Sequence, residues 1–279
     1  MALSRRHAAA SLAAVPLALA ATGTAQARTA QDRSGGRGRP RAEVTVYLAG
    51  DSTAATKAAS AAPETGWGMA LPFFLADRLR VANHAVNGRS SKSYYDEGRL
   101  AAILTAIRPG DFLFIQFGHN DEKTDDPARG TDPATTYPQY LRLYVGGARD
   151  RGARPVLLTS VERRKFDAAG TAQRTHGAYP DAVRSLARAE GVPLIDVQAS
   201  SIALWQRLGP EGTKGCFNWL DPGESPNYPD GKQDNTHFQP HGAIEVARLV
   251  ARELRAKGVL APSDVRRLDE AIPDSWITW

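Results

Sequence analysis

The chain has 279 residues, 42% of them hydrophobic and 23% charged, an ordinary balance for a globular protein that buries a core in one large domain or two small ones. Of its net charge of +5, residues 1–27 supply +2 and residues 28–41 supply +4, which leaves residues 42–279 at about −1. A nucleic-acid partner needs a basic face on the folded domain, and this distribution argues against one. The single cysteine, Cys216, excludes an intramolecular disulfide, so stability must come from the hydrophobic core. A structural thiol is the expectation for it, not a reactive one.

Arg5 and Arg6 precede an apolar, alanine-rich run over 8–21, and Ala25-Gln26-Ala27 has the small-x-small form of a signal-peptidase site. This predicts a signal peptide over 1–27 and secretion, and the arginine pair is also compatible with twin-arginine export. The run is too short and too rich in alanine for a membrane span, so no membrane partner is expected. Residues 28–41 carry Gly35, Gly36, Gly38 and Pro40 with almost nothing apolar, which reads as a disordered linker. The remaining body, 42–279, reads as one α/β domain.

Five β-rich runs are predicted in the body, over 43–49, 81–86, 111–117, 154–160 and 192–197. Stretches with helical spacing lie between and after them, over 69–79, 100–107, 137–149, 179–190, 201–208 and 242–257. Strand and helix alternate through short connections, which predicts a five-stranded parallel sheet covered on both faces. Sites in such sheets form beyond the carboxyl ends of the strands. The polar, glycine-containing segments Gly50-Asp51-Ser52, Asn87-Gly88-Arg89-Ser90 and Gly118-His119-Asn120-Asp121 follow the first three strands and should meet at one edge.

A serine hydroxyl becomes a nucleophile when a base takes its proton and a third group orients that base. Ser52 closes the first strand next to Gly50, although a serine there is also an ordinary helix cap. Near the other end, Asp234-Asn235-Thr236-His237 places an aspartate three residues before a histidine on one predicted loop. Asp234 can then bond Nδ1 and leave Nε2 of His237 free as a base. Acyl transfer also needs fixed donors for the developing oxyanion. The backbone N–H groups of Ser52 and Gly88 and the Asn120 amide are candidates. Pro240 fits the first position of a helix after this loop.

GDS at 50–52, the glycine of VNGRSS at 86–91, FGHND at 117–121 and DNTH at 234–237 stand in the order of the four blocks of the SGNH (GDSL) hydrolases. The chain resembles their rhamnogalacturonan acetylesterase branch, through GDSTAA (50–55), GWG (66–68), NGRSSKSY (87–94), FLFIQFGHND (112–121), PVLLTSVERRKF (155–166), NYPDGKQDNTHF (227–238) and HGA (241–243). The resemblance covers about 43–257. It implies a flavodoxin-like three-layer α/β/α sandwich and an esterase that uses no metal or cofactor. By position it makes Ser52 the nucleophile, His237 the base, Asp234 its orienter, and Ser52, Gly88 and Asn120 the oxyanion hole. An imidazole base predicts a rate that climbs as the ring loses its proton.

Rival readings leave weaker traces. His237 and His241 are four apart, but Pro240 starts a helix between them, which separates their directions and argues against a metal pair. No G-x-S-x-G elbow of the α/β-hydrolase kind is present. A non-catalytic carbohydrate-binding protein would be suggested by loss of Ser52 or His237, and both are there. The resemblance implies an acetylated plant polysaccharide or oligosaccharide as the partner, rhamnogalacturonan or pectin first, with acetylated xylan or small esters as the alternative. Arg89, Lys92, Arg163, Arg164 and Lys165 are candidates to face uronate carboxylates, and Trp67 to stack on a sugar. The sequence carries no signal for oligomeric state.

Overall fold

The computed structural model describes residues 43–279, so the leader and linker expected over 1–27 and 28–41 lie outside the described residues. Five strands form the main sheet: β1 (Val44–Gly50), β2 (Leu79–Asn83), β3 (Phe112–Gln116), β4 (Arg154–Leu158) and β5 (Leu194–Ile195). Their order is β2-β1-β3-β4-β5 and every adjacent pair is parallel. This is the flavodoxin-like order, whose chain reversal beside β1 opens a crevice at the carboxyl edge.

Strand periodicity sends alternate residues to opposite faces. Val46, Leu48, Phe112, Phe114, Val156 and Leu158 pack into one core, with Trp205 of α6 (Val197–Gly212) and Val246 and Val250 of α7 (Pro240–Ala256). Tyr47, Ala49, Leu113, Ile115 and Leu157 point the other way. They meet Ile103 of α3 (Arg99–Ala106), Tyr144 of α4 (Thr136–Asp150) and Val183 of α5 (Tyr179–Glu190). The result is the predicted three-layer α/β/α sandwich. Fully burying one such aromatic or aliphatic side chain contributes about 1.5–3 kcal/mol, and both faces are lined with them.

Local expectations change in three places. The run 69–79 is not one helix. A single turn, α1 (Trp67–Ala70), passes into a 3₁₀ turn at Leu71–Phe74, and Leu79 already opens β2. Pro72 has no N–H for an α-helical bond, so the helix stops although Leu71, Phe74 and Leu75 are buried as their spacing requires. The fifth strand is only two residues long, because the Asp196 side chain accepts from Ala199 N–H and caps α6 there. A short helix, α2 (Ser91–Asp96), was not predicted; Ser90 and Ser93 close a reciprocal capping box at its start.

The largest difference is a second sheet, an antiparallel ribbon of β6 (Phe217–Leu220) and β7 (Lys232–Phe238). Asp234 and His237 therefore lie on a strand and not on a loop. That strand is irregular. Phe217 faces Phe238 but Trp219 faces Gln233, so the Asp234–His237 stretch bulges out of the ladder opposite Asn218.

Candidate active site

Beyond Gly50 the chain turns over the sheet edge through Asp51, Ser52 and Thr53. Asp51 builds the turn: its Oδ1 accepts from the Thr53 N–H at 2.9 Å and the Thr53 hydroxyl at 2.7 Å. Its carbonyl accepts from Ala54 and Ala55 at 3.2 and 3.1 Å. Burial alone would raise this fully enclosed carboxyl, but the neighbouring His119 and the Thr53 donors hold it down at about 2. His119 Nδ1 lies 3.3 Å from Asp51 Oδ2. Burial, with His176 beside it, pushes His119 down to about 4, so its ring is neutral at pH 7.

The segment 65–68 supports this turn from below. Trp67 N–H donates to Thr53 O at 2.9 Å and Gly68 N–H to Ala54 O at 3.2 Å. A Cβ at Gly66 would stand 2.1 Å from Ala55 O, and one at Gly68 2.5 Å from Ala54 O, so only glycine admits this approach. Trp67 is fully buried and donates Nε1–H to Gln116 Oε1 at 2.8 Å. It cannot stack on a sugar, which corrects the sequence expectation: its indole is part of the floor under Ser52.

Ser52 Oγ lies 2.9 Å from His237 Nε2, and His237 Nδ1 lies 2.8 Å from Asp234 Oδ2. The other Asp234 oxygen accepts from the backbone N–H groups of Thr236 at 2.7 Å and His237 at 3.0 Å. Those local bonds curl the bulge so that an aspartate and a histidine three apart on a strand can face each other. Burial would raise the Asp234 carboxyl, but the bond and charge of His237 and the two backbone donors keep it ionised, well below the usual carboxylate range.

Gly88 sits at φ +76 in the turn after β2, where a side chain would be strained. Asn120 lies beside it and gives one amide hydrogen to Arg89 O at 3.1 Å. Among the described residues, neither the Ser52 nor the Gly88 backbone N–H has a hydrogen-bond acceptor. Two backbone donors and the second Asn120 hydrogen thus remain for a ligand. Asp121 fastens the same two loops, accepting from Ser91 N–H at 3.1 Å and from the Ser91 and Thr131 hydroxyls.

The sequence pattern of the GDSL-like Lipase/Acylhydrolase family matches residues 48–243. The chain belongs to this family. It is a carboxylic ester hydrolase. It is 47% identical to a rhamnogalacturonan acetylesterase of Bacillus subtilis over 216 residues, 77% of this chain and 91% of the relative. The solved structure of the YxiM protein of Bacillus subtilis superposes with a TM-score of 0.68 at 28% identity, over 79% of this chain and 58% of that one. An acetylxylan esterase from Geobacillus stearothermophilus shares the fold, with a TM-score of 0.55 at 17% identity over 77% of this chain and 95% of the other.

In this GDSL hydrolase the arginines named from sequence are all engaged. Arg89 pairs with Glu97 at 3.0 Å and donates to Asn87 O at 3.1 Å. Arg163 is turned to Glu122 and lies beside His176. Arg164 donates to Pro210 O at 2.6 Å and Asn235 Oδ1 at 3.1 Å, with its guanidinium 4.6 Å over the Trp219 ring. Lys92 pairs with Asp96 at 2.6 Å, and Lys165 is exposed. Cys216 is buried, and that burial, with Glu245 and Asp274 near, pushes its thiol up to about 12. His241 approaches Asp274 at 3.9 Å, away from the His237 pair. Among the described residues no three His, Cys, Asp or Glu side chains are grouped as metal ligands.

Four neighbours of the site escaped the sequence reading. Lys57 is buried and bonds Glu64 and Asn87, each at 2.8 Å. Lys232 reaches Glu64 at 3.3 Å and Asp234 at 3.8 Å. Trp219 donates Nε1–H to Asn235 at 3.0 Å, and Trp279 at the chain end donates to Glu64 O at 2.9 Å. The one available signal was Lys57 itself, a charge within a run of small residues.

Proposed function

We propose that this protein is a secreted carbohydrate acetylesterase that removes acetyl groups from a rhamnogalacturonan-type pectic polysaccharide through an acetyl-enzyme on Ser52. The observation that carries the chemistry is the continuous relay from Ser52 Oγ to His237 Nε2 at 2.9 Å and from His237 Nδ1 to Asp234 Oδ2 at 2.8 Å. The substrate class rests on the 47% identity to the acetylesterase of Bacillus subtilis. Export rests on the leader-like residues 1–27.

In this mechanism His237 Nε2 takes the Ser52 proton as Oγ attacks the acetyl carbonyl carbon. The carbonyl oxygen becomes an oxyanion, held by the N–H groups of Ser52 and Gly88 and the free hydrogen of the Asn120 amide. The C–O bond to the sugar then breaks, and His237 returns the proton to the departing sugar hydroxyl. A water repeats the cycle: His237 removes its proton, the hydroxide attacks the acetyl-enzyme, and acetate leaves as Ser52 recovers its hydrogen. Asp234 fixes the ring tautomer and stabilises the imidazolium formed at each attack.

The test is acetate release from acetylated rhamnogalacturonan and acetylated xylan, with chelator present, for wild type and Ser52→Ala. The reading expects chelator-resistant release, faster on rhamnogalacturonan, and none from the variant. Equal rates on both polymers would remove the pectic preference; release confined to a small aryl acetate would remove the polysaccharide.

A further inference from the structure

We propose that Lys57 and Arg89 are positioning residues that hold the Asn87–Gly88 peptide with its N–H directed at the acyl oxygen of the substrate. The inference rests on the reading of Gly88 as an oxyanion donor. The turn is closed by Arg89 N–H to Val86 O at 3.3 Å and tied to its neighbours by Val86 N–H to Gly50 O and by Asn120 to Arg89 O, but none of these bonds holds the Asn87–Gly88 peptide itself. Gly88 is at φ +76, and a Cβ built there would meet nothing within 4 Å, so no side chain is packed against that side of the residue. Glycine is also the residue that rotates most freely.

Two cations supply the restraint. The Asn87 carbonyl and the Gly88 N–H belong to one planar trans peptide and point in opposite directions. Arg89 Nη1 donates to that carbonyl at 3.1 Å, while its Nε is held by both Glu97 oxygens at 3.0 Å. Fixing the carbonyl fixes the direction of the N–H. From the other side Lys57 Nζ donates to Asn87 Oδ1 at 2.8 Å, and Glu64 Oε1 anchors the ammonium at 2.8 Å.

The Lys57 side chain is only 1% exposed. A buried ammonium is costly to desolvate, and the Glu64 carboxylate at 2.8 Å offsets that cost. Beyond that pair, the bond to Asn87 Oδ1 is the one that reaches the oxyanion turn. Glu64 carries the connection further, since its second oxygen meets Lys232, which lies 3.8 Å from Asp234. The oxyanion turn and the orienting aspartate are thus joined through Asn87, Lys57, Glu64 and Lys232.

The test uses the full chain, an aryl acetate and a small alkyl boronic acid, whose adduct on a serine mimics the tetrahedral intermediate. Lys57→Met, Asn87→Ala and Arg89→Gln should each lower kcat about tenfold or more while KM changes little. The boronate Ki should rise by the same factor, and Lys57→Met with Asn87→Ala together should be no worse than the poorer single variant. A loss that were merely structural would lower the melting temperature without moving Ki. If Lys57→Met does not fold, Asn87→Ala, at an exposed side chain, carries the comparison. Wild-type kcat and Ki in Lys57→Met and Asn87→Ala, with Ser52→Ala inactive, would overturn the proposal. Turnover by Ser52→Ala would instead overturn the reading of the site on which it rests.

Discussion

The two halves of the site are built differently. Ser52, Gly88 and Asn120 stand on loops at the carboxyl edge of a parallel sheet, and those loops are bonded to one another: Val86 N–H to Gly50 O at 2.9 Å, Asn120 to Arg89 O at 3.1 Å, Ser91 to Asp121 at 3.1 Å. Asp234 and His237 stand on a bulge of a two-stranded ribbon whose curl comes from the aspartate's own bonds to the next turn of chain. The ribbon is tied back at a few points, among them Arg164 N–H to Asn235 O and Thr65 N–H to Phe238 O, both at 2.8 Å. Residues 65–68 touch both halves, since Trp67 N–H also reaches Thr53 O at 2.9 Å. Residues 65–68 are thus one link across which the 2.9 Å contact between Ser52 and His237 is held, beside the chain from Lys57 through Glu64 and Lys232 to Asp234. Side chains can thus be rigid on their own supports while their mutual distance depends on the links between those supports.

Changes on the ribbon alone should have the largest effect. Asp234→Asn keeps the shape but loses the ionised acceptor of the His237 Nδ1 hydrogen, so kcat should fall by about 10³–10⁴-fold, measured by steady-state acetate release. Boronate binding, which reads the sheet half, should survive better than turnover. Equal loss of both would mean that the two halves are not separable.

Changes between the halves should be smaller and fall mainly on stability. Trp67→Phe leaves the buried Gln116 Oε1 without its 2.8 Å indole donor, which should cost about 1–3 kcal/mol in urea unfolding. Its KM for polysaccharide should stay near wild type. A raised KM with unchanged stability would return Trp67 to the role of a sugar platform.

The smallest effect concerns the floor of the sheet half. His119 is held down at about 4 in the folded protein, against about 6.5 for a free imidazole, so the unfolded chain takes up the proton first. Its share of stability is present above about pH 6.5 and is lost as pH falls towards 4. The stability of wild type relative to His119→Gln should therefore shrink across that window. A difference constant from pH 7 to 4 would mean that burial does not control this ring.

The sheet half was readable in the sequence because its signals are physical and local. Runs such as FLFI at 112–115 are apolar throughout, as a strand buried on both faces must be, and the glycine-containing segments follow strand ends where such sheets place their sites. The ribbon was not readable as structure. Lys232–Phe238 reads KQDNTHF, with no apolar alternation, and its pairing to Phe217–Leu220 leaps over a polar turn. The pairing of Asp234 with His237 was still legible, since an Asp and a His three apart suggest two side chains that meet whatever the backbone does. Trp67 misled because an aromatic beside a site loop reads alike as platform or floor, and only its partner Gln116, 49 residues away, separates the two. Lys57 stands out as a charge in a run of small residues, but its role was not legible for the same reason: its partners Glu64 and Asn87 meet it only through the fold.

Trapping with an organophosphonate acyl analogue, followed by intact-mass measurement and peptide mapping, tests most directly whether Ser52 carries the acyl group. The expected result is one adduct per chain, on the peptide that contains Ser52, absent from Ser52→Ala and formed far more slowly in His237→Ala. Labelling at another residue, or full turnover by a chain lacking the Ser52 hydroxyl, would contradict it.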